Sequence, residues 1–252
     1  MNNSSRRKLI VGGIAAVAGT TGLGIAAKFA KKYGLVPPDS GGLYGAGATL
    51  TYAGQRLITK HSMAREFPRN QISKPPFVNE FGPLGKEFER QQAAGFTDWM
   101  LTIDGLVDRP RSFSLAQLKT HPVRRHITEL ACEEGWSYIA EWTGAQLSHV
   151  LDAVGVQPHA KYVVYFSIQS DWWDSIDMAD ALHPQTLLAY GMNGGDLPVG
   201  NGGPLRMRLP RQLGYKSVKF ITRLTVTDDL KKFGKGLGSF EPEYGYSWYA
   251  GI

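Results

Sequence analysis

Hydrophobic and polar positions fall into recognisable periods from Trp99 onward. Trp99 to Val107 alternates and is rich in β-formers, so it predicts a strand. Ser114, with Gln117 three positions on, forms a capping box and opens a short helix. Leu147, Val150, Leu151 and Val154 recur at i, i+3, i+4 and i+7, and Gly155 follows as a stop, the pattern of an amphipathic helix. Lys161 to Ile168 and Val218 to Thr227 are dense in Val, Ile, Tyr, Phe and Thr and predict two more strands. Leu205, Met207 and Leu209 alternate with Arg206 and Arg208, so a strand there places both arginines on one face. Between Thr49 and Glu89, Pro68, Pro75, Pro76 and Pro83 interrupt the chain and predict loops wrapping a core. No repeat and no linker follow. The expectation is one α+β domain over residues 49–252, with mixed sheets and short helices, behind a linker over 33–48 that carries Pro37-Pro38.

Charge changes this picture only at the N-terminus. Arg6, Arg7, Lys8, Lys28, Lys31 and Lys32 are six of the 28 basic residues, and no acid precedes Asp39. The other 22 basic residues face 22 acidic ones, so the folded part is neutral and nucleic-acid binding loses its compositional support. Arg6-Arg7 ahead of the mildly apolar Leu9–Ala27 has the form of a twin-arginine export leader over residues 1–32, which predicts a periplasmic protein. The nineteen uncharged residues of that stretch are also just long enough to span a bilayer, so an uncleaved leader would be a membrane anchor. The twin-arginine route carries folded proteins, which suits a cofactor inserted in the cytoplasm.

The chain has one cysteine, so no intramolecular disulfide forms, and Cys132 is either a buried structural residue or has a chemical use. A nucleophilic thiolate needs a nearby cation or helix N-terminus, whereas its sequence neighbours are Glu129, Glu133 and Glu134. A thiolate bound to a metal escapes that difficulty, because the metal's charge deprotonates the sulfur outright. Zinc is disfavoured, since one cysteine and scattered histidines give no ligand cluster. All three readings of Cys132 stand at this point.

Cys132-Glu133-Glu134-Gly135-Trp136-Ser137, with Trp142-Thr143-Gly144 ten residues after the cysteine, resembles the molybdenum-ligand segment of the sulfite oxidase family. The resemblance continues in Leu187–Gly194, in Gly202-Gly203-Pro204-Leu205-Arg206 and in Gly214–Lys219, and covers roughly Trp99 to Asp229. Each motif alone is modest; four in family order are specific. The look is closest to the family's single-domain bacterial branch, that of the periplasmic methionine-sulfoxide reductase catalytic subunits. The resemblance implies a sulfite oxidase-type molybdopterin-binding fold and a Mo–molybdopterin cofactor with Cys132 as catalytic metal ligand. It also implies cofactor contacts at Asn79, Ser167, Asn201, Arg206, Ser217, Val218 and Lys219. Soft thiolate ligation suits a redox-active metal, and the pterin's phosphate wants cations and backbone N–H groups. Each position also has a plain structural reading: Arg206 and Arg208 as an edge strand's solvent face, Lys219 as a surface lysine, the glycines between 194 and 203 as turn residues.

The sequence departs from the family after Ser170-Asp171, where Trp172-Trp173 replace the Gly-Tyr of better-known members. Asp171, Trp172 and Trp173 are the expected substrate-pocket segment. Two indoles would make it bulkier and more apolar, which counts against both sulfite and peptide-bound methionine sulfoxide; the alternative is that the tryptophans are core. The function implied is two-electron oxygen-atom transfer by an exported reductase acting on a small-molecule or sulfoxide-type substrate. No haem or flavin motif is present, so electrons come from a membrane cytochrome or another electron-transfer protein. The rival enzyme reading is an oxidase of sulfite or another small anion. The rival outside enzymology is a cofactor-free exported binding protein with the same fold.

Overall fold

The computed structural model describes residues 28, 30–79, 82–239 and 241–252, so Arg6-Arg7 and the apolar stretch Leu9–Ala27 lie outside the described residues. In chain order the elements are α1 (Gly45–Ile58), α2 (Gly85–Ala93), β1 (Met100–Gly105), β2 (Arg111–Ser114), α3 (Leu115–Leu118), β3 (Val123–Ala131) and β4 (Ser137–Gln146). They continue with α4 (Leu147–Val154), β5 (Tyr162–Ser167), β6 (Trp173–Asp177), α5 (Met178–Ala181), β7 (Leu187–Met192), β8 (Gly195–Asp196), β9 (Arg206–Arg208) and β10 (Ile221–Thr227).

The strands form two sheets. One runs β2-β1-β10-β5-β6, with β1 parallel to β10 and the other pairs antiparallel; the other runs β3-β4-β7, with β8 and β9 sharing the far edge of β7. The predicted mixed character rests on that one parallel pair. Strand periodicity explains the layering. Val163 and Tyr165 of β5 join the main core with Leu101, Ile103, Leu224 and α4, while the intervening Val164 faces a second cluster with Tyr52 and Trp248. On the second sheet, Leu188 and Tyr190 face the main core, while Leu187, Ala189 and Met192 pack with Tyr138 and Trp142 on the opposite side.

The expected capping box at Ser114 is formed: Gln117 N–H donates to Ser114 Oγ at 3.2 Å, and Ser114 N–H donates to Gln117 Oε1 at 2.8 Å. Gly155 ends α4 at φ +70°, the left-handed conformation its position requires. Gly105 at the end of β1 has φ +86°, and a Cβ there would stand 2.1 Å from Val226 O, so the parallel pairing with β10 depends on glycine.

Three expectations are corrected. Residues 49–89 are not loops alone, because α1 and α2 lie within or across that span, and the linker boundary at 48/49 falls inside α1. Three glycines and two threonines make α1 a poor helix by propensity; tertiary contacts form it instead. Cys132 lies in the β3–β4 hairpin turn. Arg206 and Arg208 do not face solvent, since all of β9 is buried.

The contacts that hold α1 are polar and buried. Arg56 donates from Nη1 and Nη2 to Asp180 at 3.1 and 2.7 Å and from Nη2 to Asp177 at 2.8 Å, and Tyr52 OH donates to Asp177 at 2.7 Å. Asp177 also caps α5 by accepting the Asp180 N–H. Removing one member strands a buried carboxylate, so Arg56→Ala should lower folding stability by about 3–5 kcal/mol. Urea unfolding checks this, and an unchanged midpoint would show that α1 is not held by these charges.

Candidate active site

The hairpin joining β3 to β4 is tight. Cys132 N–H donates to Trp136 O at 2.9 Å and Gly135 N–H donates to Cys132 O at 3.1 Å, with Gly135 at φ +90°. This turn forms one wall of a cavity with an empty volume of about 890 Å³, mouth included. The other walls come from Phe77, Asn79 and Gly82, from Gln169 and Trp172, and from Arg206, Gly214, Tyr215, Ser217 and Lys219. A Cβ on Gly214 would lie 3.1 Å from Leu130 Cδ2 and 3.5 Å from Cys132 Cα, so the turn starting there packs directly on the cysteine's backbone.

Cys132 is half-buried, with Sγ 3.2 Å from Glu133 Oε2 and 3.8 Å from Glu134 Oε2. Burial pushes its thiol up to about 12, and the two carboxylates add to the shift against one favourable backbone hydrogen bond. The nucleophile reading therefore loses its footing, since the surroundings favour the protonated thiol. A metal cation at the sulfur reverses that balance.

Another part of the lining is cationic. Arg206 is fully buried, donating from Nη1 to Asn201 O and from Nη2 to Ser217 O, each at 2.6 Å, and its Nε–H has no partner. Its guanidinium lies 5.3 Å from the Trp142 ring centre, and Arg208 lies 5.0 Å from the same ring. Neither arginine pairs with a carboxylate among the described residues. Lys219 Nζ donates to Gly200 O at 2.8 Å and Asn79 O at 3.2 Å; burial, then Arg206, pushes it down to about 7. Desolvated cations with an unpartnered N–H make a receptor for a polyanionic oxygen group such as a phosphate. The donor set fits the pterin cofactor's requirements: a soft sulfur on one wall and phosphate-binding cations on another.

The expected site residues are distributed as follows. Asn79, Cys132, Trp172, Arg206, Ser217 and Lys219 line the cavity. Asn201 stands behind the wall, donating from Nδ2 to Phe77 O at 3.1 Å and Tyr138 OH at 3.3 Å. Ser167 accepts the Gln169 N–H at 3.1 Å and so shapes the loop that carries Trp172. Val218 is a core residue whose carbonyl accepts the Met207 N–H at 2.9 Å. Asp171 lines a neighbouring groove with Pro83. Trp173, the first residue of β6, packs against Phe166 and Phe233 instead of the cavity.

Sequence reasoning missed the aromatic side of the site. Phe77 lies 4.5 Å from Trp136, which stacks on Tyr138 at 6.1 Å, between ring centres. The spacing of Trp136, Tyr138 and Trp142 at even intervals was the available signal. Also missed was the ion pair behind the walls: Lys216 with Asp174, both fully buried, where Lys216 Nζ also donates to Ser175 O at 2.8 Å. It ties the turn bearing Tyr215 and Ser217 to the strand that follows Trp172.

Residues 89–233 match the family described as oxidoreductase molybdopterin binding domain. The Azospira oryzae protein named "Putative protein-methionine-sulfoxide reductase subunit YedZ1" is 36% identical over 196 residues, 77% of this chain and 70% of that one. The protein-methionine-sulfoxide reductase catalytic subunit MsrP of Ralstonia nicotianae is 33% identical over 145 residues, 52% of this chain and 44% of that one. Among solved structures, the sulfane dehydrogenase SoxCD of Paracoccus pantotrophus superposes with a TM-score of 0.50 at 25% identity, over 53% of this chain and 39% of that one.

Arg208 also steadies the strand leading to Cys132, donating to Thr128 Oγ1 at 3.0 Å and Glu129 O at 2.5 Å. On the same strand His126 is buried; burial, then the charge of Arg208, push it down to about 4 from 6.5. A histidine whose folded pKa is depressed contributes stability that is complete above the unfolded value and is lost as pH falls from 6.5 through 4. Folding stability should fall by about 2–3 kcal/mol across that window on account of this residue. His126→Gln should flatten that part of the profile; an equally steep loss in the variant would assign it to other groups.

Proposed function

The chain belongs to the molybdopterin-binding oxidoreductases of the sulfite oxidase family, in their single-domain bacterial branch, and on that premise we propose that it is an exported sulfoxide reductase. The reaction removes one oxygen atom: a sulfoxide, two electrons and two protons give a thioether and water. A molybdenum–pterin cofactor, when bound, supplies the two-electron redox centre and the oxygen acceptor. The electrons come from a separate protein, for which a membrane cytochrome is the partner we propose, and the periplasm is the proposed location.

What carries the reading is that Cys132 and the cationic pair Arg206 and Lys219 line one cavity. In this reading Cys132 holds the metal and Arg206 and Lys219 hold the phosphate, with Asn79 and Ser217 beside them. Ser167 and Asn201 act from behind, by fixing the loops they bond. Phe77, Trp136, Trp172 and Tyr215 give the cavity an aromatic lining suited to a soft sulfur compound. Glu133 and Glu134 beside the thiol speak against a small anion such as sulfite as the substrate.

Protein made in a cofactor-competent host should contain about one molybdenum per chain, and Cys132→Ser should abolish turnover. Metal analysis without molybdenum, or full turnover in the variant, overturns the assignment. Arg206→Ala and Lys219→Ala should each remove a charge-assisted contact worth about 1.5–3 kcal/mol, lowering cofactor retention about tenfold or more. Pterin quantification after gel filtration measures it; normal occupancy with an altered substrate profile would move these residues to the substrate side.

Export is tested separately. Replacing Arg6 and Arg7 by lysine keeps the charge and removes the twin-arginine signature. The variant should remain in the cytoplasm, folded and loaded. Its unchanged appearance outside the cytoplasmic membrane would rule out the twin-arginine route.

A further inference from the structure

The outer face of α1 has no use in the site just described. Leu50 and Leu57, seven residues apart within the helix, share one face and are 76 and 70% exposed; Leu43 in the turn before it is 88% exposed, and Ile58 at its end 82%. The helix carries a single charged residue, Arg56, and that side chain is turned inward onto Asp177 and Asp180. Among the described residues, nothing covers this leucine face, and no charge points outward from it.

Its surroundings say what covers it. Lysines stand beside it: Lys31 and Lys32 adjoin Tyr33, which shares a groove with Leu57, and Lys60 follows the helix, all three exposed. Lys60 and Leu57 share a groove with Tyr33 and Lys161, so basic and apolar groups are contiguous there. Two nearby acids face inward: Asp39 accepts the Trp248 N–H at 2.8 Å, and Asp177 holds Arg56. Tyr33, beside Leu57 and Lys60, and Tyr44, at the N-terminal end of α1, are both exposed, in the amphipathic position that aromatic rings take at a headgroup layer. A protein partner is usually met by directional anchors such as arginine or tryptophan, and the outward face of this helix offers Leu, Ala, Gly and Thr. At fourteen residues the helix is about 21 Å long, too short to cross a hydrocarbon core of about 30 Å. It fits along a bilayer and not through it.

We propose that the outer face of α1 is a membrane-apposed surface that seats the folded domain on anionic lipid, the leucines entering the acyl boundary and the flanking lysines meeting lipid phosphates. The seating is a property of the folded domain, separate from any anchoring by the leader and from the redox chemistry.

The test uses the full, cofactor-loaded chain with Leu50→Cys carrying an environment-sensitive dye; the parent chain taken through the same labelling gives the contribution of Cys132. Phosphatidylcholine vesicles are compared with vesicles containing phosphatidylglycerol. On the anionic vesicles the dye emission should shift to the blue and be quenched by spin-labelled lipid, with affinity on the order of tenfold higher than on neutral ones. Adding Leu43→Ser and Leu57→Ser should abolish the shift, and Lys31→Gln, Lys32→Gln and Lys60→Gln together should erase the anionic preference, all at an unchanged melting temperature. A dye that stays in water while the chain floats with the vesicles, held by its leader alone, overturns the proposal. So does a shift that requires a membrane protein in the vesicle, which would make the face a protein interface.

Discussion

The constraint on which the site depends is buried positive charge: among the described residues, no carboxylate pairs with Arg206 or Arg208. Arg206 and Arg208 flank the Trp142 ring inside the protein, and Lys219 lies on the same side of the cavity. Backbone carbonyls and an aromatic face lower the cost of burying these cations but do not cancel their charge. The charge left over suits such a wall to receiving an anion. The sulfur-bearing hairpin lines the same cavity, and the neutral bulk composition makes this positive charge a local feature.

Neither the hairpin nor the cationic wall would keep its shape without groups that never reach the cavity. Asn201 bonds Phe77 and Tyr138 together, Ser167 shapes the loop bearing Trp172, and the Lys216–Asp174 pair joins that loop's strand to the turn carrying Tyr215 and Ser217. These residues act through the segments they fasten. They explain why positions away from the cavity can still belong to a cofactor motif.

Local rules were enough where the element obeys them. The capping box at Ser114, the 3.6-residue period and Gly155 stop of α4, and the β-rich runs of β1, β5 and β10 all stand in the structure where the sequence reading put them. The family motifs pointed to Cys132, Arg206 and Lys219, which the fold brings to one cavity. α1 was illegible because its residues are weak helix formers, and its reason for being helical, Arg56 meeting Asp177 and Asp180, lies more than 120 residues away. The hairpin position of Cys132 was hidden for a related reason: strand pairing between β3 and β4 had to be known before Gly135 could be read as a turn glycine. Trp173 shows the converse, a residue adjacent to a wall in sequence but turned from it by the alternation of a strand.

The pairing of β1 with β10 joins residues about 120 apart, whereas β3 and β4 meet across a short turn. Contacts so different in sequence separation form on different timescales, because closing the longer loop costs more chain entropy before any bond rewards it. The hairpin with the thiol can assemble early and alone. The walls from 77–82, 169–172 and 206–219 come together only when the whole domain closes. A nascent chain can therefore present its sulfur before the cationic residues of the cavity are in place, and the complete cavity exists only in chains that have finished folding.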